Sequence, residues 1–209
     1  MKTTLLTAIG ATLVLSSTSA AQKLVGDAPI KSLPTPVLLD TAGMFIDRYA
    51  KVGDDLYIAG QPTERALREM KAQGVTTVIN LRMPQEMERV KFDEPKLIDE
   101  LGMKYVYIPM RGGDGENAYS PQTLRKFADA IKAADGKVLL HCTVAWRASH
   151  IWAAYLIQEH GVADSVALAH ARAINLMDDH RVDGSGRQPV EMLLGRKVAG
   201  LHSRQQSGH

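Results

Sequence analysis

The chain holds a single cysteine, Cys142, in 209 residues. One thiol cannot close an internal disulfide or build a cysteine-based zinc cluster, so neither cross-link is open to this fold. A bias of charge is also missing. The formal net charge is +2, and the basic residues are spread along the chain rather than gathered. That excludes the electrostatic footprint of a nucleic-acid-binding surface. Beyond the N-terminus, no stretch approaches the ~20 consecutive apolar residues that a membrane span requires. Internal repeats and a second core are absent too. What remains, with 45% hydrophobic residues, is enough chain for one domain with a substantial core.

The segment "MKTTLLTAIGATLVLSSTSAAQ" has Lys2 at its start, an apolar run over 5–15 and then small residues. That layout predicts a cleavable export signal over 1–21, cut after Ala20 or Ala21. An uncleaved membrane anchor is the alternative, and the apolar run is short for it. The expectation is a periplasmic or secreted protein with no membrane span in the mature chain.

Periodicity and breakers organise the rest. Residues 22–52 read as irregular, with prolines at 29, 34 and 36. "LYIAGQP" is a short strand, and "TERALREMKAQG" a helix with Thr63 as its N-cap and Gly74 as its stop. "VTTVINLR" is a buried-strand run, "DEPKLIDELG" a helix and "MKYVYIPM" a strand. "RGGDGENAYS" is a polar glycine-rich loop. "SPQTLRKFADAIKAADG" is a helix capped by Ser120 with Pro121 at its first position. "KVLLHC" is a strand, followed by helices over "RASHIWAAYLIQEHG" and "ADSVALAHARAINLM" and an amphipathic piece around "PVEMLLGRKVAGL". Alternating strands and helices predict a single α/β domain over 53–200, with a central mostly parallel sheet and helices on both faces. Residues 201–209 form a disordered tail.

In such sheets, ligands sit beyond the carboxyl ends of the strands. Cys142, Arg82 and the "RGGDGE" loop each follow a strand, so three loops meet at one edge. If helix begins near Trp146 or Arg147, the amides from Thr143 onward converge as an anion site. The same field favours thiolate over thiol at Cys142. Arg147 adds a planar two-pronged donor matched to phosphate. A thiolate, an amide cradle and a fixed guanidinium suit attack on a bound phosphoryl group. The bland alternative is that Cys142 is a small core hydrophobe.

"HCTVAWRAS" resembles the phosphate-binding loop of the cysteine-dependent protein tyrosine and dual-specificity phosphatases. "YIAGQPTERALREMKAQGVTTVINLR" resembles the start of a bacterial group, the β-lactamase-hydrolase-like phosphatase domains, and the likeness covers roughly residues 53–160. The resemblance implies that Cys142 is the nucleophile, forming a phosphocysteine, and that Arg147 binds phosphate and stabilises the transition state. It implies that His141 hydrogen-bonds nearby backbone and holds the loop. Asp114, 28 positions before the cysteine, would be the general acid, with Glu116 in reserve. The substrate would be a phosphorylated small molecule, lipid or protein, bound at His141, Thr143, Val144, Ala145, Trp146 and Ser149. No cofactor and no metal are implied.

Three features depart from the phosphatase pattern. Only four residues, Thr143 to Trp146, separate Cys142 from Arg147, where that loop normally has five. The usual central glycine is absent, so one residue is expected to take an unfavourable φ at a cost on the order of 1 kcal/mol. The hydroxyl that normally follows the arginine is shifted to Ser149. The four-residue gap resembles the loop of rhodanese-type sulfurtransferases, so persulfide transfer on Cys142 stays open, as does an anion-binding module without turnover. Trp146 would wall the pocket or pack into the core. Gln61 and Arg82 could line the cleft or sit at the surface. "MDDH" at 177–180 reads as an exposed turn rather than a metal site, and the histidines at 150, 160 and 170 show no ligand spacing.

Overall fold

The computed structural model describes residues 23–25, 32–177 and 186–201. The export signal, the tail from 202 onward and residues 178–180 of "MDDH" therefore lie outside the described residues. The elements in chain order are β1 (Val37–Leu38), β2 (Tyr49–Val52), β3 (Leu56–Ala59), α1 (Glu64–Ala72), β4 (Val75–Asn80), α2 (Pro84–Met87) and α3 (Glu94–Glu100). They continue with β5 (Lys104–Tyr107), α4 (Pro121–Lys132), β6 (Lys137–His141), α5 (Trp146–His160), α6 (Asp164–Arg172) and α7 (Pro189–Leu194).

The six strands form one sheet in the order β1-β2-β3-β6-β4-β5. β3, β6, β4 and β5 are mutually parallel, while β1 and β2 extend one side antiparallel. The predicted α/β domain with a mostly parallel sheet is what forms. Its central strands carry apolar side chains on both faces, as a doubly covered sheet requires. Leu56, Ile58, Val138, Leu140 and Ile79 pack into one core with α4 to α7. Tyr57, Ala59, Val78 and Leu139 pack into another with α1 and α3. The two-residue alternation of a strand sends neighbours to opposite cores.

α5 is buried from Trp146 to Leu156 because it lies among α4, α6, α7 and the sheet. Its Tyr155 stacks on Trp152 at 5.5 Å and meets Phe127 edge-on at 5.5 Å. A helix that is mostly apolar from Ile151 to Leu156 suits that central place. Caps set the other helices as expected: Thr63 Oγ1 accepts the Ala66 amide at 3.2 Å, and Ser120 Oγ accepts that of Thr123 at 3.2 Å.

Three boundaries differ from the sequence reading. The segment 22–52 is not irregular throughout, because β1 and β2 lie in it. β2 pairs with β3 across the turn at Gly53, whose φ of +60° favours glycine. α6 stops at Arg172 rather than reaching Met177, and Ile174 and Leu176 are buried beyond its end. The short α2 has no counterpart in the predicted elements. A single turn has no apolar period to detect, and it forms because Pro84 starts it and Glu86 reaches back to the Met83 amide at 2.7 Å.

Gly60, just past β3, is where the backbone must come closest. Its amide donates to Arg48 O at 2.8 Å, and it bridges Val144 of the cysteine loop. A Cβ here would overlap the Ile46 carbonyl and stand 2.9 Å from Thr143 O, both rigid backbone. Gly60→Ala is expected to destabilise the fold by about 3 kcal/mol, the upper end for overpacking, read as a lowered urea midpoint at unchanged slope.

Candidate active site

β6 ends in His141, and the chain passes through Cys142, Thr143, Val144 and Ala145 before α5 begins at Trp146. Ala145, the N-cap of α5, has φ 64° and ψ −2°. This is where the missing glycine is felt: an L-residue in the left-handed region costs roughly 1–2 kcal/mol. The turn leaves donors free. In the first turn of α5 the amide of Ser149 donates to Ala145 O at 2.9 Å. Among the described residues, the amides of Thr143, Val144, Ala145, Arg147 and Ala148 meet no backbone carbonyl. Cys142 sits at the start of this array, 1% exposed and in no disulfide.

Arg147 projects from the first turn of α5 and is clamped from several sides. Its Nη1 donates to Leu81 O at 3.2 Å, to Met110 O at 3.2 Å and to Glu86 Oε2 at 2.8 Å. Its Nη2 donates to Glu86 Oε1 at 2.6 Å and Thr143 Oγ1 at 3.1 Å. The guanidinium is thus fixed by the ends of β4 and β5 and by a two-pronged carboxylate, while its Nε makes no hydrogen bond. Thr143 Oγ1 in turn donates to Glu86 Oε1 at 2.7 Å. Burial works to raise the Glu86 pKa, but the hydrogen bonds from Arg147, the Met83 amide and Thr143 overcome it and hold the carboxyl at about 2. For Arg147, burial works against the charge, and the Glu86 bond and the neighbouring Cys142 raise its pKa nonetheless.

Behind the loop lies a second network, centred on Glu94 at the start of α3. Glu94 is 1% exposed. Its Oε1 lies 3.0 Å from His141 Nε2 and accepts from Asn80 Nδ2 at 3.0 Å, and its Oε2 accepts from Gln61 Nε2 at 2.5 Å. Burial pushes the Glu94 pKa up, but the facing His141, Gln61 and Arg82 bring it below the ordinary carboxyl value. Arg82 joins the network through Gln61 Oε1 and donates its other Nη to the Glu86 carbonyl at 2.7 Å.

The sequence-predicted residues are brought together only in part. Cys142, Thr143 and Arg147 share one loop mouth. Trp146 packs edge-on against His150 at 4.5 Å and also lines a cavity of about 440 Å³ with Glu86, Arg111, Gly112, Tyr119 and Arg147, so the wall and core roles combine. Val144 O accepts Asn175 Nδ2, turning that peptide toward the fold. His141 does not hold backbone through its ring. It is fully buried and faces Glu94, so it steadies the loop from behind instead of touching a ligand. Ser149 is fully buried and donates to Ala145 O at 2.9 Å, the ordinary back-bond of a helical serine. Its hydroxyl is therefore directed along the helix and not toward the cysteine. Asp114 and Glu116 are exposed on a loop closed by Arg111 N on Asn117 O at 2.8 Å, and among the described residues neither side chain has a hydrogen-bond or ion-pair partner. Gln61 and Arg82, open between cleft and surface in the sequence, are buried at 5% and 6% exposure. No group of metal-ligating side chains occurs among the described residues.

Residues 48–160 match the family described as beta-lactamase hydrolase-like protein, phosphatase-like domain. The chain belongs to this family. The resemblance to cysteine-dependent tyrosine and dual-specificity phosphatases holds at the level of fold as well. TpbA of P. aeruginosa, solved in complex with pTyr, superposes with TM-score 0.54 at 17% identity, over 86% of this chain and 100% of that one. The DUF442 protein of Shewanella putrefaciens CN-32 gives TM-score 0.52 at 24% identity, over 77% and 93%. PTPMT1 gives 0.52 at 20% identity, over 68% and 88%. A search of curated proteins found no match.

Reading this phosphatase-like domain from sequence misses Glu86, Glu94 and Asn80. Glu86 stands on the undetected α2, and its only local mark is its place two residues after Pro84. Glu94 opens a recognisable helix, but an acidic first turn is so common that it singles out nothing.

Two predictions test these networks. Glu94→Ala is expected to cost about 3–5 kcal/mol in chemical denaturation, because it strands His141, Gln61 and Asn80 in a dry interior. Glu86 has a folded pKa of about 2 against an ordinary 4.5, so its stabilising effect is full above pH 4.5 and lost as pH falls toward 2. Thermal melts at stepped pH should show that loss in the wild type and a flatter profile in Glu86→Gln; identical profiles would deny Glu86 this role.

Proposed function

We propose that the protein is an exported cysteine-dependent phosphatase that hydrolyses a phosphate monoester through a phosphocysteine intermediate. The observation that carries this reading is the set of amides at Thr143, Val144, Ala145, Arg147 and Ala148 that meet no backbone carbonyl among the described residues, with the Arg147 guanidinium held beside it. Such a cradle favours an oxyanion with two or more charges, and the family to which the chain belongs is phosphatase-like. The leader-like residues 1–21 support a periplasmic or secreted setting.

The Cys142 thiolate attacks phosphorus, an S–P bond forms and the P–O bond to the leaving alcohol breaks. The loop amides and the Nε edge of Arg147 take the charge of the equatorial oxygens, and Glu86 keeps the guanidinium in plane. Asp114, carried on the loop that contributes Arg111 and Gly112 to the 440 Å³ cavity, gives its proton to the leaving oxygen. The carboxylate then takes a proton from water, which attacks phosphorus, breaks the S–P bond and releases inorganic phosphate and the thiolate. The alcohol portion of the ester occupies that cavity against Trp146 and Tyr119. An aryl group such as that of phosphotyrosine suits these walls, and pTyr is what TpbA was solved with.

The four-residue gap and the back-bonded Ser149 favour one second reading, sulfur transfer with Cys142 as a persulfide carrier. Both chemistries need Cys142, but only phosphate ester cleavage needs an acid for a leaving alkoxide. Purified protein should release phosphate from an aryl phosphate, Cys142→Ser should abolish release, and Asp114→Asn should lower kcat about 10²–10⁴-fold with circular dichroism unchanged. Cysteine-dependent transfer from thiosulfate to a thiophilic acceptor, with no phosphate release, would replace the phosphatase with a sulfurtransferase. Silence in both assays would leave an anion-binding module.

A further inference from the structure

A second concavity, of about 540 Å³, opens between the start of α1 and the segment joining α2 to α3. Arg82 contributes to its wall, and Arg65, Arg89 and Lys91 stand around it, facing a single lining carboxylate, Glu64. The three outer cations are exposed and form no ion pair with an acidic side chain among the described residues. Arg82 is buried at 6% exposure, and both of its Nη atoms are used, on Gln61 Oε1 and the Glu86 carbonyl. Its Nε–H is buried with no acceptor at all. A buried donor on a cation is costly to leave unmet, so this part of the wall favours an acceptor of negative charge.

Two further observations agree. α1 begins at this concavity, and Thr63 satisfies only the Ala66 amide, leaving those of Glu64 and Arg65 without a carbonyl. The remaining walls are apolar, from Ile46, Pro62, Val90 and Phe92. Unpaired cations, a helix N-terminus and an orphaned buried donor call for a negative group, and the apolar walls call for a hydrocarbon body.

We propose that this concavity binds a small acidic amphiphile: a carboxylate, sulfonate or phosphate group on an aryl or alkyl body. The acidic group faces Arg82 and the rim cations, and the body lies against Phe92 and Val90. Gln61 lines the concavity and its backbone amide donates to Thr143 O at 3.0 Å, so the occupant sits against the back of the cysteine loop. The site goes beyond the phosphatase reading and does not depend on it.

The test is calorimetric titration of the full chain and of Cys142→Ser with naphthalene-2-sulfonate and with the neutral 2-naphthamide. The sulfonate is expected to bind both proteins alike, at least about tenfold more tightly than the amide, with the gap narrowing at high salt. In Arg89→Glu combined with Lys91→Glu, both exposed and so tolerated by the fold, sulfonate affinity should fall at least about tenfold. Amide shifts on binding should centre on Val90 and Phe92. Equal affinity for the neutral compound, or undiminished binding in the charge-reversed protein, would overturn the proposal. So would displacement of the sulfonate by inorganic phosphate with shifts centred on Thr143 to Arg147, because that would place the ligand at the cysteine loop.

Discussion

Everything at the loop end of this sheet hangs on one buried carboxylate. Glu94 is brought in by α3 and takes hydrogen bonds from Gln61, just past β3, and from Asn80, at the end of β4, while facing His141, at the end of β6. Three parallel strands are thereby tied at their carboxyl ends to a helix on one face of the sheet. A charge so deep is tolerated only because its lone pairs are met by several donors and by facing cationic or polar groups. Since His141 is the residue before Cys142, the position of the cysteine is set by a contact to a residue far away in the chain.

From that fixed base the loop must reach α5 in few residues. It does so by putting Ala145 in a left-handed conformation, a local strain that the buried helix behind it can bear. The strain has a chemical yield, because among the described residues it leaves the amides of Thr143, Val144, Arg147 and Ala148 without backbone carbonyl partners at the head of a long helix. Arg147 is then fixed from outside the loop, by carbonyls ending β4 and β5 and by the Glu86 carboxylate. The site is therefore assembled from two networks, Glu94 behind the cysteine and Glu86 in front of it. Arg82 connects them through Gln61 on one side and the Glu86 carbonyl on the other.

Much of the fold was legible because its signals are local. Continuous runs of apolar and β-branched residues mark β3, β4 and β6, and Thr63 and Ser120 cap their helices where their side-chain chemistry says they should. The expectation that Cys142, Arg82 and the loop opening at Arg111 meet at one sheet edge followed from the rule that ligands gather beyond the carboxyl ends of parallel strands. The elements that escaped are those with little local period. β2 is four residues long and takes its conformation from pairing with β3, and α2 is a single turn. The orientation of Ser149 escaped for a related reason, because whether a helical hydroxyl back-bonds or turns outward is decided by what surrounds it.

By itself, the sequence determined the order of strands and helices, the place of the cysteine at a strand-to-helix junction and the cost of a loop without glycine. Each of these depends on periodicity or on the stereochemistry of neighbouring residues. Only the tertiary structure decided which carboxylates complete the site. Glu94 meets His141 across 47 positions and Glu86 meets Arg147 across 61, and no local pattern marks either acid. Among many solvated glutamates these two differ only in being folded onto a buried imidazole and a buried guanidinium. The energy that distinguishes them comes from desolvation and charge pairing, which exist only once the strands have brought those residues together.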